Sequence, residues 1–332
     1  MSTNLRGRLA VSLLILTAAT GSMLAQGQSG QAPGQNSDEI NSKISVHARN
    51  PQDAATPTKG GTGVMSPAIT GHGGPVMAGT PVAYLIWYGN WNQNNGSDTP
   101  AKQQLVRDFL SGIGDSPYFK INSTYTGVPG PVTGSVTLKE ETTEPGSPGN
   151  KPVSDNDIRA AVTNAISSGR LPLNKDGVYF VLTSSNISKS GFCTQYCGWH
   201  TYAKVNGVPV KYSFVGNANR CLNACAAQTI SPNINAGVDR MLSVVAHELE
   251  EAVTDPELNA WYDSRGAENA DKCAWTFGQN LPQTSTGAYY NMTLQTQSGS
   301  TTTSPTTRNY LIQRNLSAID SKCYVNWATQ AQ

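Results

Sequence analysis

Residues 243–256 read Ser-Val-Val-Ala-His-Glu-Leu-Glu-Glu-Ala-Val-Thr-Asp-Pro, and the fold is predicted to be built around the helix that they form. The apolar residues of this region recur three or four positions apart, as on one face of a helix: Met241, Val245, Leu249 and Ala252. His247 and Glu251 lie four residues apart on another face, so an imidazole and a carboxylate converge there. The stretch therefore predicts an amphipathic helix that carries a pair of metal-binding side chains.

His247 and Glu251 have the spacing of the two histidines on a zinc-hydrolase helix, with Glu in place of the second histidine. Glu248 stands where such helices carry the general base. A solvated face of charged residues is the alternative. The apolar residues 244–246, however, lead directly into His247 and favour a position near buried surface. At about 100° per residue, Glu250 falls on the side away from the apolar stripe, so we expect it to be solvated.

A third ligand could come from the acidic loop that follows the helix. Residues 266–273 read Gly-Ala-Glu-Asn-Ala-Asp-Lys-Cys, in which Glu268 and Asp271 are the candidates. The alternative is a turn whose carboxylates only accept hydrogen bonds from backbone amides. One histidine with two carboxylates is an oxygen-rich set that suits calcium or manganese about as well as zinc. The residues thus predict a Zn²⁺-type site whose metal and third ligand stay open.

The composition is polar but weakly charged. Charged residues make up 14% of the 332 residues, and the formal net charge is +1. This balance is typical of an extracellular globular protein, and it favours neither nucleic acid nor an anionic membrane as a partner.

The first 25 residues have the pattern of a secretory signal peptide. Arg6 and Arg8 form a basic start, and the apolar stretch that follows is too short and too rich in Thr, Ser and Gly for a membrane anchor. Residues 26–72 are rich in Gly, Ser, Gln, Asn and Pro and predict a flexible lead-in, in which His47 and His72 are expected to be solvated. The globular domain is expected over residues 73–327.

Six cysteines lie in the second half of the chain: Cys193, Cys197, Cys221, Cys225, Cys273 and Cys323. An even number in a secreted chain predicts disulfides, although the spacing does not fix their pairing. The alternative is a structural zinc site formed by the two Cys-x3-Cys pairs.

Local patterns predict an α/β (α+β) domain with a single mixed sheet and packed helices. Continuous apolar runs predict buried strands at residues 81–89 and 178–183. Asn206-Gly207, between two apolar stretches, predicts a hairpin. The remaining predicted elements are a helix at 101–111, a helix capped by Ser154 that stops at Gly169, and strands at 118–125, 132–138 and 310–312.

Several of these segments resemble the EXORDIUM (phosphate-induced protein) family over about residues 74–323. The resemblance is carried by Leu85-Ile86-Trp87-Tyr88-Gly89, residues 178–183, Gly191-Phe192-Cys193, Cys197-Gly198 with His200, Cys221 with Cys225, His247-Glu248-Leu249, Glu251, Pro256, Asn259-Ala260-Trp261-Tyr262, and Asp271 with Cys273. It implies a secreted, wall-associated protein linked to growth and cell expansion, without a settled biochemical activity. It also implies that His247, Glu248, Glu251 and Asp271 belong together, and it favours Asp271 over Glu268.

Two functions are compatible with the sequence. In the first, a secreted hydrolase with a zincin-like fold binds Zn²⁺ through His247, Glu251 and Asp271, and Glu248 is the general base that deprotonates a water for attack on peptide or related bonds. In the second, a non-catalytic extracellular protein binds a cell-surface polymer or partner through exposed aromatics such as Trp87, Trp91 and Trp261. The alternative for these aromatics is that most of them belong to the core.

Overall fold

A computed structural model describes residues 64–146, 151–296 and 307–327. The predicted signal peptide, most of the predicted lead-in and His47 lie outside the described residues. Thr70 and Gly71, near the end of the predicted lead-in, pair with Trp261 and Tyr262. His72 is exposed, as expected, and its ring stacks on that of Tyr262 at 3.8 Å between centroids.

The described residues contain eleven strands and three α-helices. In chain order the strands are β1 (Thr70–Gly71), β2 (Val82–Tyr88), β3 (Thr137–Glu144), β4 (Gly177–Thr183), β5 (Gly198–Val205), β6 (Val208–Gly216), β7 (Trp261–Tyr262), β8 (Met292–Gln295), β9 (Thr307–Tyr310), β10 (Asn315–Leu316) and β11 (Cys323–Tyr324). The helices are α1 (Pro100–Ile113), α2 (Asp155–Ser167) and α3 (Ala236–Thr254).

A five-stranded mixed sheet in the order β3-β2-β4-β6-β5 forms the centre of the fold. Strand β2 pairs in parallel with β3 and β4, and β4 pairs in parallel with β6. Strand β5 is the antiparallel edge strand, joined to β6 by the predicted hairpin. Asn206 and Gly207 have φ of 49° and 80°, the positive values that this two-residue turn requires. The prediction of a single α/β domain with a mixed sheet is confirmed.

Strands β2 and β4 are buried because helices and loops cover both faces of the sheet at these strands. Every residue of β4 is buried, and so are six of the seven residues of β2. This is why both strands read as continuous apolar runs rather than as alternating ones. Helix α2 packs against β2, β4 and β6, whereas α3 packs against β4, β5 and β6 and also contacts α1.

The helix starts follow from capping side chains. Ser154 and Asp157 form a capping box at α2, as the sequence predicted for Ser154. Thr99 caps α1, which has Pro100 at its first position. At α3 the Asn235 side chain accepts a hydrogen bond from the Val238 amide at 2.7 Å. None of the described helices is both long and apolar enough to cross a membrane.

Three of the shorter predicted strands are wrong or displaced. Residues 118–125 were expected to be extended, but Phe119–Thr124 form a 3-10 helix whose first amide is capped by the Ser116 hydroxyl at 3.1 Å. The strand expected at 132–138 is β3, which starts five residues later and carries mostly polar, exposed side chains. Residues 310–312 overlap only the end of β9, and two further strands follow it.

All six cysteines form disulfides, which confirms that prediction and excludes the alternative of a cysteine zinc site. The pairs are Cys193–Cys221, Cys197–Cys225 and Cys273–Cys323. The first two bonds each join one Cys-x3-Cys motif to the other, and they close loops with a sequence separation of 28 residues. Loops of this size are expected to stabilise the fold by about 3–4 kcal/mol each.

Two of the three tryptophans named for the second function belong to the core, as the buried strand predicted at residues 81–89 already implied for Trp87. Trp87 is 1% exposed and Trp91 is 5% exposed, and the two rings meet edge to face at 5.0 Å. Trp261 is only partly buried. Large aromatic rings contribute the most apolar area to a core, so a strand as apolar as β2 places Trp87 inside. A binding surface built on Trp87 and Trp91 is therefore wrong.

Candidate metal centre

Helix α3 is buried on all sides, although the sequence predicted an amphipathic helix with one solvated face. Every residue from Gly237 to Thr254 is buried. Glu250, which was expected to be solvated, is 0% exposed, and its Oε2 accepts a hydrogen bond from the Asn315 side-chain amide. The prediction for Glu250 is wrong because segments distant in sequence cover that side of the helix.

Strand β5 lies close to α3 because it starts with a glycine. A Cβ on Gly198 would lie 2.5 Å from Cγ1 of Val244 and 2.9 Å from Oε1 of Glu248. Alternate residues of a strand point to the same side, so His200 faces α3 as Gly198 does. The close approach brings His200 against the acidic side chains of the helix.

The predicted ligands His247, Glu251 and Asp271 lie together. Nε2 of His247 is 2.9 Å from Oε1 of Glu251 and 3.5 Å from Oδ1 of Asp271. Ligand atoms bound at about 2 Å in a tetrahedron around one ion lie about 3.3 Å from one another. The three atoms are therefore placed as the ligands of a single ion would be.

A second group of side chains lies on the other side of Glu251. Nδ1 of His200 is 3.6 Å from Oε2 of Glu248 and 3.4 Å from Oε2 of Glu251. Nε2 of His200 is 3.6 Å from Oε2 of Glu268. Both histidines and all of these glutamates are almost fully buried.

Many polar atoms of these two groups have no hydrogen-bond partner among the described residues. They include both ring nitrogens of His200, both carboxylate oxygens of Glu248, Oε2 of Glu251 and Oε1 of Glu268. Buried polar groups in proteins are nearly always satisfied, and an unsatisfied one costs about 1–3 kcal/mol. So many unsatisfied atoms at one place make this cluster a candidate site for a cation.

Burial and the charges of neighbouring side chains together shift the pKa values in the cluster. Burial raises the pKa of Glu248 and, together with the charge of Glu251, the pKa values of Glu268 and Asp271. Burial disfavours the charged form of both histidines, but the surrounding carboxylates outweigh it and raise the pKa of His200 to about 10. The pKa of His247 is raised well above its usual value for the same reasons. In the absence of a cation, protons on the imidazoles compensate the carboxylates.

Groups around the cluster hold its members in place. The Gln313 side-chain amide contacts Nδ1 of His247. The contacting atom is the amide nitrogen, Nε2 of Gln313, which donates to Nδ1 and leaves the hydrogen of a neutral imidazole on Nε2 of His247. Binding of a metal at Nε2 therefore requires the Gln313 amide to turn its oxygen toward Nδ1. The backbone amide of Asp271 donates to Oε1 of Glu251 at 3.1 Å, which ties the loop after α3 to the helix.

The carboxylates that follow α3 have two different roles: Asp263 accepts hydrogen bonds within a turn, whereas Asp271 and Glu268 face the histidine cluster. Asp263 accepts hydrogen bonds from the backbone amides of Arg265 and Ala267 at 2.8 and 3.1 Å, as expected of a turn residue. Asp271 also accepts a bond from the Glu268 amide at 3.2 Å, but its other oxygen faces His247. Both candidates for the third ligand thus reach the cluster, each at a different histidine.

A narrow and mainly apolar cleft reaches His247 from the surface. Its walls include Ile230, Pro232, Trp275 and Leu311, and Gln313 lies beside the histidine. The space in the cleft is about 20 Å³, room for about one water molecule, and His247 is the only member of the cluster that lines it.

The structure brings His247, Glu248, Glu251 and Asp271 together, whereas their roles as metal ligands and base stay predictions. Sequence reasoning missed His200 as a member of the site. Its only signal was its place in the segment after Cys197 that carries the family resemblance.

Fold and site define a disulfide-bonded α/β protein with a buried cluster of histidines and carboxylates. Residues 69–326 match the phosphate-induced protein 1 conserved region. The chain is 31% identical to Protein EXORDIUM-like 3 of Arabidopsis thaliana over 76% of its own length and 81% of that protein. It is 30% identical to Protein EXORDIUM-like 5 of the same plant, over 69% of each chain, and 26% identical to Protein PHOSPHATE-INDUCED 1 of Nicotiana tabacum, over 66% of its length and 79% of that protein.

The chain therefore belongs to the phosphate-induced protein 1 family, which includes the EXORDIUM proteins. No solved structure shows significant similarity to it. Family membership supports an extracellular or growth-related protein, and the three disulfides fit an extracellular location.

Proposed function

We propose that this protein is a secreted, metal-dependent hydrolase that cleaves peptide or related bonds. The observation that supports it is the buried group of His247, Glu251 and Asp271, with Glu248 next to His247 on the same helix. A zincin-like arrangement, in which the active helix packs beside the antiparallel edge strand of a mixed sheet, is part of the proposal.

His247, Glu251 and Asp271 would hold Zn²⁺ or a similar divalent ion. When bound, the ion would lower the pKa of a water molecule and polarise the substrate carbonyl. Glu248 would accept the proton from that water, since burial raises the pKa of this carboxyl toward the range in which a general base works best.

The alternative of a non-catalytic protein that binds a cell-surface polymer has less support. Its expected aromatic surface loses Trp87 and Trp91, which are buried. This alternative also gives no reason for the unsatisfied carboxylates and imidazoles in the interior, because polar groups without a ligand or a partner are normally left at the surface.

The test compares zinc content and hydrolysis in three purified proteins after chelation and reloading with Zn²⁺. The wild type should bind zinc and cleave quenched-fluorescent casein. His247→Ala should lose the zinc of this site, because the variant removes a ligand. Glu248→Gln should keep the zinc held by His247, Glu251 and Asp271 but cleave about 10²–10⁴-fold more slowly, because Glu248 is the base of the chemistry and not a ligand of that ion.

Two variants serve as matched controls. His72→Ala removes an exposed histidine outside the cluster, and Glu140→Gln removes an exposed glutamate on β3. Both should match the wild type in zinc content and in rate. A zinc-loaded wild type that cleaves neither casein nor a peptide mixture, or a Glu248→Gln variant with the wild-type rate, would contradict the proposed function.

A further inference from the structure

The two oxygens of Glu251 face different histidines. Oε1 lies 2.9 Å from Nε2 of His247, and Oε2 lies 3.4 Å from Nδ1 of His200. Two groups of potential ligands therefore share this carboxylate: His247, Glu251 and Asp271 on one side, and His200, Glu248 and Glu251 on the other.

A cation at the His247 group would leave the His200 group unsatisfied. Neither ring nitrogen of His200 and neither carboxylate oxygen of Glu248 has a hydrogen-bond partner in the part of the chain that the structure describes. Both side chains are at most 1% exposed, so bulk water does not satisfy them. Nδ1 of His200 and Oε2 of Glu248 both lie beside Oε2 of Glu251, and this group of atoms could hold a ligand.

We propose that His200, Glu248 and Glu251 bind a second divalent cation, and that Glu251 bridges it to the first. The inference rests on the proposed function, which assigns the first cation to His247, Glu251 and Asp271. In two-cation hydrolases the ions lie about 3.5–4 Å apart, a distance that one carboxylate can bridge. The distances from His200 to Glu248 and Glu251 are close to those between the ligands of one ion.

The charge of the cluster supports more than one cation. Glu248, Glu251, Glu268 and Asp271 face the two imidazoles, and all of them except the partly exposed Asp271 are buried. Glu250 and Asp255 are also 0% exposed and interact electrostatically with members of the cluster. One divalent cation compensates two negative charges, and uncompensated buried charge is strongly unfavourable, so a second cation stabilises the cluster further.

The proposal also gives Glu268 a role. With Nδ1 of His200 as a ligand, Nε2 carries the hydrogen and faces Oε2 of Glu268 at 3.6 Å. Metal-binding histidines usually donate their other ring N–H to a carboxylate or carbonyl, which orients the ring. Glu268 is then a positioning residue for His200, as Gln313 is for His247. Glu248 binds through Oε2, the oxygen that faces His200, and Oε1 stays available to accept a proton.

The test is the metal stoichiometry of the full-length exported protein. After chelation, each protein is reloaded with Zn²⁺, freed of excess ion and analysed for zinc per folded molecule. The wild type should bind two ions, His200→Ala one, and His247→Ala one or none. Glu251→Gln should lose both ions because it removes the bridge, and the control His72→Ala should bind two.

Other zinc stoichiometries would distinguish failure of the second cation site from failure of the proposed function. One zinc in both the wild type and His200→Ala, with none in His247→Ala, would overturn the second site and leave the proposed function standing. Two zincs in His200→Ala would overturn His200 as a ligand. No zinc in the wild type would overturn both proposals.

An experiment without variants covers the case in which His200→Ala does not fold. The wild type is loaded with Mn²⁺ and studied by electron paramagnetic resonance. Two ions bridged by one carboxylate should give an exchange-coupled spectrum. A spectrum that is only the sum of isolated Mn²⁺ ions at full loading would overturn the proposal.

Discussion

Asp98 and Glu248 are both 0% exposed, yet their surroundings are opposite. The oxygens of Asp98 accept hydrogen bonds from the Ser185 amide at 2.9 Å, the Asn217 side chain at 2.7 Å and the Asn95 side chain at 2.6 Å. The oxygens of Glu248 accept none from any described residue. A buried carboxylate with a full set of donors is part of the scaffold, whereas one without donors is a candidate ligand for a cation, as proposed here for Glu248.

The two carboxylates also lie at different places in the sheet. Asp98 belongs to the loop after β2, Ser185 follows β4, and Asn217 follows β6. Asp98 thus joins the carboxyl ends of three parallel strands, the position at which α/β proteins commonly bind ligands. In this protein the side chain of Asp98 occupies that position. The candidate metal centre lies instead between α3 and the antiparallel edge strand β5.

The largest expected effect comes from removing the scaffold carboxylate. Asp98→Ala should lower the free energy of unfolding by about 3–5 kcal/mol, because the Ser185 amide and the Asn217 side chain would lose their acceptor inside the protein. Urea unfolding of the chelated protein measures the change. Glu248→Gln under the same conditions should cost less than Asp98→Ala, since it removes one of several carboxylates around His200 and leaves no backbone donor without its acceptor. Equal losses in the two variants would contradict the comparison.

A smaller effect should follow from filling the space between β5 and α3. Gly198→Ala places a methyl group against Val244 and Glu248, so we expect a loss of about 1–3 kcal/mol from overpacking. Displacement of Glu248 should also weaken zinc binding about 10-fold or more in a Zn²⁺ titration.

Gly79→Ala is the matched control for this variant, because a Cβ there meets no atom within 4 Å. It should change stability by no more than about 0.5 kcal/mol and leave zinc binding unchanged. A Gly198→Ala protein with the stability and zinc affinity of the wild type would show that this close contact is not needed for the site.

The smallest effect concerns Asp157, a carboxylate that is saturated but near the surface. Its Oδ2 accepts from the Ser154 amide at 2.8 Å, and the bonds from the backbone and side chain of Ser154 lower the pKa of Asp157. Asp157→Ala should cost about 0.5–1 kcal/mol at pH 7. The pKa in the folded state lies below the unfolded value of about 3.9, so this contribution is present above pH ~4 and is lost as the pH falls through the folded pKa.

Unfolding at pH 7 and near pH 2 checks the sign of this effect. The difference between Asp157→Ala and the wild type should shrink at the lower pH. Asn156→Ala on the same turn should show no such dependence, because it removes no titratable group. A difference for Asp157→Ala that persists unchanged at pH 2 would contradict the capping argument.

The parts of the fold with strong local signals could be predicted from the sequence. The continuous apolar runs of β2 and β4, the Asn206-Gly207 turn and the Ser154 cap each depend on residues close together in the chain. Strand β3 gave no such signal, since its polar side chains are exposed at the edge of the sheet. The prediction of a strand at residues 118–125 was wrong because a short alternation of apolar and polar residues also fits a capped 3-10 helix.

The candidate site also contains residues that local sequence patterns could predict and residues that they could not. His247 and Glu251 share one helix face, so their spacing was sufficient to predict that they meet. His200 approaches Glu248 only through the register of β5 and the small size of Gly198, which no pattern in the helix reveals. Glu250 has the spacing of a solvated residue, but Asn315 comes from the far end of the chain to bind it.

The disulfides have a consequence for when the metal centre can form. His200 lies three residues after Cys197, and Asp271 lies two residues before Cys273, so two of the segments that bring side chains to α3 are each anchored by a disulfide. While the cysteines are reduced, only non-covalent contacts hold these segments against the helix. Oxidation limits how far they can move, so the side chains of the cluster reach their final arrangement only then. If the cluster binds cations as proposed, a newly made chain competes weakly for them while its cysteines are reduced and acquires them after oxidation.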